Sequence, residues 1–197
     1  MAGVRGVVFP MKLMSYNVRG LGGGEKRVEV RKLVSEKQPF VLCIQESKLE
    51  VIDDWMIKSL WGDAACGYSY QPSRGASGGL VTVWDTSCVT VWFTMSFNHV
   101  LVIKGMVNQT TEDFIIFNVY APCDSEAKRA LWDKLSPLVA SNNDVCLCVC
   151  GDFNSVRVPE ERKGRWTVFR QADANLFNKF IDDNFLFDLP ICGRLFT

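Results

Sequence analysis

The stretch Cys146-Leu147-Cys148-Val149-Cys150-Gly151-Asp152-Phe153-Asn154 decides the fold. Its apolar part is too short for a helix and suits a strand buried on both faces. It then stops at a glycine and delivers an acid and an amide. A buried strand that ends this way sets polar groups at the rim of a sheet, where α/β folds bind ligands. Cys146, Cys148 and Cys150 fall on one face of that strand, about 6.5 Å apart and side by side. Their Cβ vectors do not converge as a disulfide requires. We read them as buried free thiols of an intracellular, reducing compartment, with a metal-binding cluster as the alternative that no C-x-x-C pair supports.

The same ending recurs along the chain. The run Lys12–Asn17 finishes in Asn17, Phe40–Gln45 gives way to Glu46, and Phe114–Tyr120 carries Asn118 and Tyr120. Taken singly, an acid or amide at a strand end is a solvated loop residue or a turn former. Together they describe a chemistry. Glu46 and Asp152 offer hard carboxylate oxygens suited to Mg²⁺ (or Mn²⁺), which keeps waters and substrate oxygens in its shell. Asn17 and Asn154 add neutral amides that orient a phosphate, and Tyr120 adds a hydroxyl donor. Such a set suits phosphate-ester hydrolysis by metal-assisted attack of water, lacking only a group to move protons.

The totals narrow the class. The chain has 197 residues, enough for one domain with a real core. Lys+Arg and Asp+Glu both number 22, so no whole-chain positive field exists and any nucleic-acid partner needs a local patch or a metal ion. The opening MAGVRGVVFPMKLMSYN is too brief and too poorly flanked for a signal peptide or membrane span. Residues 1–11 are expected to be an extension without a structural role, and residues 12–197 the domain.

Strand-length apolar runs recur at Lys12–Asn17, Phe40–Gln45, Tyr68–Gln71, Gly79–Trp84, Cys88–Phe97, Val100–Val107, Phe114–Tyr120 and Val145–Cys150. Helical periodicity marks Glu25–Lys37, Asp53–Leu60, Ser125–Ala140 and Gln171–Asn184. Strand and helix alternate early, whereas the middle is a run of strands. This predicts an α/β chain with mixed sheets and helices packed outside them.

The ordered motifs MSYNVRG (14–20), IQESK (44–48), SGGLVTVW (77–84), NVYAP (118–122) and CGDFN (150–154) resemble the endonuclease/exonuclease/phosphatase superfamily. The details YNVRGLG, GDFNSV, PEERKG and DLPICGRLFT look most like the endonuclease domain of plant LINE-type non-LTR retrotransposons. The resemblance implies a four-layer α/β sandwich of two mixed sheets flanked by helices. It also implies Mg²⁺-dependent phosphodiester hydrolysis on DNA, in the nucleus for a working retroelement. By the same resemblance Glu46 is the principal metal ligand and Asn17 lies near metal and phosphate. Tyr120 contacts phosphate, Asp152 positions the water or assists the leaving group, and Asn154 orients the phosphate. Thr197 falls where relatives continue into a strand.

Relatives carry beyond that point a further Asp and a Ser-Asp-His motif, so the expectation is a chain truncated at its C-terminus and impaired in turnover. An inactive remnant, a weak nucleic-acid binder or another phosphate-ester hydrolase are the competing readings. The only histidine, His99, lies in SFNHVLVIKG and reads as a hairpin or strand position. Asn118, Arg74, Arg162 and Thr197 complete the candidate substrate contacts. Arg162 belongs to a cationic loop with Arg157, Lys163, Arg165 and Trp166, which suits phosphate contact or pairing with Glu160 and Glu161. Gly22–Gly24 reads as a loop before the first helix, with Arg19 and Arg27 beside it. Oligomeric state has no sequence signature.

Overall fold

The computed structural model describes residues 2–5, 11–75, 77–142, 145–161 and 169–189. Ten strands and four α-helices follow in order: β1 (Ala2–Arg5), β2 (Leu13–Asn17), α1 (Gly24–Lys37), β3 (Val41–Gln45), α2 (Asp54–Trp61), β4 (Cys66–Arg74) and β5 (Ser77–Asp85). Then come β6 (Val89–Phe97), β7 (Val100–Val107), β8 (Asp113–Tyr120), α3 (Ser125–Ala140), β9 (Cys146–Asp152), α4 (Gln171–Asp183) and β10 (Phe187–Asp188). Each of the twelve elements expected from periodicity is present, with ends shifted by a few residues.

The strands form two mixed sheets, β10-β1-β9-β8-β7-β6 and β2-β3-β5-β4. Helices α1 and α2 cover the smaller sheet, where Val30, Val34, Ile57 and Leu60 pack on Leu42, Ile44, Val81 and Val83. Helices α3 and α4 cover the larger one, where Leu131, Trp132, Phe177 and Phe180 pack on Ile115, Phe117, Leu147 and Val149. A third apolar cluster lies between the sheets and includes Val41, Cys43, Ile103, Phe114, Ile116 and Cys150. The result is the expected four-layer sandwich.

Strand alternation sorts the side chains. Along β8, Ile115, Phe117 and Val119 face the helices, while Phe114 and Ile116 face the other sheet. Along β9, Leu147 and Val149 face the helices, while Cys148 and Cys150 face the seam. The thiols are small apolar fillers of that seam. Cys43 and Cys150 are fully buried, and burial pushes the Cys43 thiol well above its ordinary pKa. Seven cysteines are free thiols among the described residues, and no group of three or more His, Cys, Asp or Glu side chains there is placed to hold a metal.

Two expectations need correction. Ala2–Arg5 is not an idle extension: β1 pairs antiparallel with β9 on one side and with β10 on the other. An unpaired β9 edge would leave a row of main-chain donors and acceptors open, and β1 satisfies it. Asn118 does not reach the cleft. It is fully buried and donates from Nδ2 to Ile44 O (3.3 Å), Val81 O (3.0 Å) and Thr82 Oγ1 (3.2 Å). Its Oδ1 accepts from Gln45 Nε2 at 2.7 Å. Asn118 clasps the sheets together two residues below the rim, on the same side of β8 as Tyr120 but one layer deeper.

Gly151 is required where β9 ends. Its φ is +139°, and a Cβ there would stand 1.9 Å from Val119 O across the β8–β9 ladder. Gly151→Ala is therefore expected to cost about 3 kcal/mol or more, combining strain with a main-chain clash. Urea unfolding followed by circular dichroism measures it.

Candidate active site

Strands β2 and β3 of one sheet, and β8 and β9 of the other, finish on the same edge of the sandwich. Asn17 closes β2, and Tyr120 pairs directly with Asp152 across the parallel β8–β9 ladder. Glu46 follows β3 with a left-handed φ of +55°. That break in the extended alternation lets Glu46, next in sequence to the seam-facing Gln45, join the same cleft. Five of the eight non-glycine residues with positive φ among the described residues surround it: Arg19, Glu46, Lys48, His99 and Asn154. Backbone held in sparsely populated regions gathers where the surrounding structure over-determines a site.

The four side chains form one network. Asn17 Nδ2 donates to Asp152 Oδ2 at 2.7 Å and to Glu46 Oε1 at 3.3 Å. Its Oδ1 accepts from Arg19 N at 3.1 Å, which fixes the amide with its hydrogens toward both carboxylates. Tyr120 Oη donates to Glu46 Oε1 at 2.6 Å, and Lys48 Nζ lies 3.7 Å from Glu46 Oε2. Asp152 Oδ1 accepts from Asn154 N at 3.0 Å, while Asn154 Nδ2 donates to Ala121 O at 2.7 Å. Burial pushes the Glu46 carboxyl up, yet hydrogen bonds from Tyr120 and Asn17 and the charges of Lys48 and Arg19 outweigh it, so Glu46 titrates below its ordinary value. Burial and the Glu46 carboxylate push the Tyr120 phenol far up, so it remains a donor at neutral pH.

Two half-buried carboxylates joined through a shared amide repel each other. The donor set is oxygen-rich, negatively charged and open to the cleft, which fits a hard divalent cation. Two carboxylates suffice for Mg²⁺, which fills its remaining positions with water and substrate oxygens.

A model of the Endonuclease/Exonuclease/phosphatase family matches residues 14–188, which span every element of this site. The chain belongs to that family. Solved structures share its fold. The AP endonuclease LMAP from Leishmania major is 16% identical with a TM-score of 0.67, over 88% of this chain and 66% of that one. The 3′ phosphatase NExo from Neisseria, bound to a product DNA hairpin, is 15% identical with a TM-score of 0.67, over 88% and 71%. The APE2 catalytic domain from Xenopus laevis is 17% identical with a TM-score of 0.65, over 86% and 67%. The chain thus spans about two thirds of the length of these solved structures, and at these identities the likeness shows the fold alone.

Within this family frame, the remaining candidates separate. Arg74 is exposed at the end of β4 beside the cleft. Arg157 is committed elsewhere, with Nε on Asn178 Oδ1 and Nη1 on Asp188 Oδ2 at 2.8 Å. Arg27 closes the loop before α1 by donating to Leu21 O and Gly22 O, each at 2.9 Å. Arg162, Lys163, Arg165, Trp166 and Thr197 lie outside the described residues.

The sequence reading missed the group that holds the Asp152–Asn154 corner. Phe153 turns into the helical layer, its ring 5.0 Å from Phe177 and 6.1 Å from Trp132. Lys128 of α3 is buried and donates to Asn154 O at 2.6 Å and to Asp173 Oδ2 of α4 at 2.7 Å. Ser125 Oγ completes Asp173 at 2.5 Å. A signal was available: Lys128 precedes Leu131 and Trp132 by three and four residues, and Asp173 precedes Phe177 by four, so each charge sits in an apolar stripe.

These carboxylates define the acid limit of the fold. Burial raises Asp173, but its bonds from Lys128 and Ser125 and the Lys128 charge prevail, leaving it, like Glu46, below its ordinary value. Both bind protons more weakly when folded, so their stabilisation is complete above the unfolded carboxyl pKa of about 4. It is lost as pH falls through the depressed folded values. Thermal melts are expected to hold steady from neutrality to about pH 5 and to fall below about pH 4, less steeply in Asp173→Asn.

Proposed function

We propose that this chain is a divalent-metal-dependent phosphodiesterase domain of retroelement origin that nicks DNA and leaves a 3′-hydroxyl end. The observation that carries this reading is the single network of Asn17, Glu46, Tyr120 and Asp152, drawn from the ends of both sheets. The sequence details YNVRGLG and GDFNSV support the retroelement origin, and the DNA hairpin bound by the structurally similar NExo supports the polymer. Glu46 and Asp152 would hold Mg²⁺ or Mn²⁺, which when bound supplies Lewis-acid polarisation of the phosphate and neutralises charge.

The protein groups divide the remaining work. Tyr120, protonated at neutral pH, offers its hydroxyl to a phosphate oxygen once Glu46 is engaged. Asn17 keeps Asp152 and Glu46 at a fixed separation, so the nucleophile side and the charge-bearing side stay in register. Asp152 accepts a proton or a hydrogen bond from the attacking water at Oδ2.

The test is incubation of purified protein with supercoiled plasmid in Mg²⁺ and in EDTA. Nicked circles in Mg²⁺ alone, with ends that a polymerase extends, are the expected result. Equal nicking in EDTA would refute the metal-dependent reading. One observation favours a second reading, nucleic-acid binding without turnover: among the described residues Asp152 is bonded by Asn17 and by Asn154 N and by no imidazole, while His99 faces the Tyr120 main chain. Plasmid that stays supercoiled but shifts on a gel would support it.

A further inference from the structure

Two hairpin tips, one from each sheet, meet beside Tyr120. The β4–β5 tip carries Arg74, and the β6–β7 tip carries His99. Gln71 Nε2 donates to Phe97 O at 3.0 Å, tying the two hairpins together across the seam. Tyr120 N donates to His99 O at 2.9 Å, so the second tip is fastened to the residue that holds Glu46. His99 holds the left-handed turn with φ +68°, and the residue is exposed with its imidazole hydrogen-bonded to the Tyr120 main chain. Arg74 is exposed, and among the described residues no carboxylate pairs with it. Arg19 and Lys48 extend the same rim, both exposed.

We propose that Arg74 and His99 form a backbone-binding subsite spanning the two hairpin tips, which grips a phosphate of the bound DNA strand next to the one at the Glu46–Asp152 cleft. The inference rests on the reading of that cleft as a DNA phosphodiesterase site. Three features support it. Among the described residues Arg74 has no carboxylate partner, unlike Lys48 and Arg157. The two donors come from different sheets, so a strand lying across them also crosses the seam where the site opens. The left-handed turn at His99, fastened to Tyr120 N through its carbonyl, holds the residue at the rim. Partial burial of the ring against the hairpin and the nearby Arg74 charge keep the imidazole below its ordinary pKa, against a hydrogen bond with the Tyr120 main chain. The ring offers a phosphate a hydrogen-bonding group while Arg74 supplies charge.

The experiment is fluorescence anisotropy of a labelled duplex with the full chain in calcium buffer, over a series of salt concentrations. The variants are Arg74→Met, His99→Asn and, as a control on the outer helical layer, Lys32→Met. Asn tolerates the left-handed backbone, so His99→Asn removes the ring without adding strain. Arg74→Met is expected to weaken binding about tenfold and to reduce the slope of log K against log salt by about one. His99→Asn is expected to weaken binding about threefold with the slope unchanged, and Lys32→Met to match the parent. If the parent binds duplex and both rim variants bind equally well, the subsite is refuted while the phosphodiesterase reading stands. If the parent neither binds nor nicks DNA, that reading fails and this inference with it.

Discussion

Glu46→Gln is expected to lower metal-dependent nicking by about 10³-fold or more while leaving the melting temperature nearly unchanged. Gln has the same shape, and its side-chain oxygen still accepts from Tyr120 Oη, so the packing of the cleft survives. What disappears is one of the two negative charges held around the Asn17 amide. A cation at such a site contributes several kcal/mol of transition-state charge stabilisation. Each 1.36 kcal/mol is about tenfold in rate, which gives the expected size. The variant should also need a higher Mg²⁺ concentration for half-maximal activity, a shift that a purely structural role for Glu46 would not produce. Activity within about tenfold of the parent, at unchanged Mg²⁺ requirement, would remove Glu46 from the centre of the mechanism.

Lys128→Met carries the largest expected loss of stability. Lys128 and Asp173 are both buried, at 2% and 7% exposure, so deleting the ammonium leaves a carboxylate whose remaining hydrogen-bond donor among the described residues is Ser125. Breaking a buried pair in this way costs about 3–5 kcal/mol, and Met fills much the same volume, so no cavity contributes. For a chain of this size the melting temperature should fall by roughly 6–20 °C. Asp173→Leu added to Lys128→Met should restore most of the loss, since a well-packed apolar pair is about as stable as a buried ion pair. The double variant separates stability from chemistry. With the fold restored, Asn154 O still lacks its Lys128 donor, so nicking should remain below the parent. A single-variant loss under about 1 kcal/mol would show that the α3–α4 ion pair is not the clasp its geometry indicates.

Most of the architecture was legible because the chain is locally consistent. Buried strands such as β3 show as uninterrupted apolar runs, here residues 41–44 ahead of Gln45, and α4 shows its stripe in Phe177, Phe180 and Ile181. The strand ends that build the site were legible for the same reason, since each breaks an apolar run with one polar residue. What escaped depends on contacts that no spacing encodes. Asn118 sits on the same side of β8 as Tyr120, and only the depth of the seam tells a buried clasp from a cleft residue. β1 is four residues long, and its place is set by the open edge of β9 rather than by any strong pattern of its own. Glu46 enters the cleft through a left-handed φ, which its neighbours in sequence do not announce.

The seam has a mechanical consequence. Asn17 and Glu46 ride on one sheet, Tyr120 and Asp152 on the other, and the Gln45–Asn118 bond is the rivet beneath them. Sliding one sheet past the other by little more than an ångström would part Asn17 from Asp152 and Tyr120 from Glu46 together, with every strand ladder still intact. The chemistry is thus gauged to the alignment of two otherwise self-sufficient halves. A perturbation that loosens the rivet should silence the cleft well before either half begins to melt.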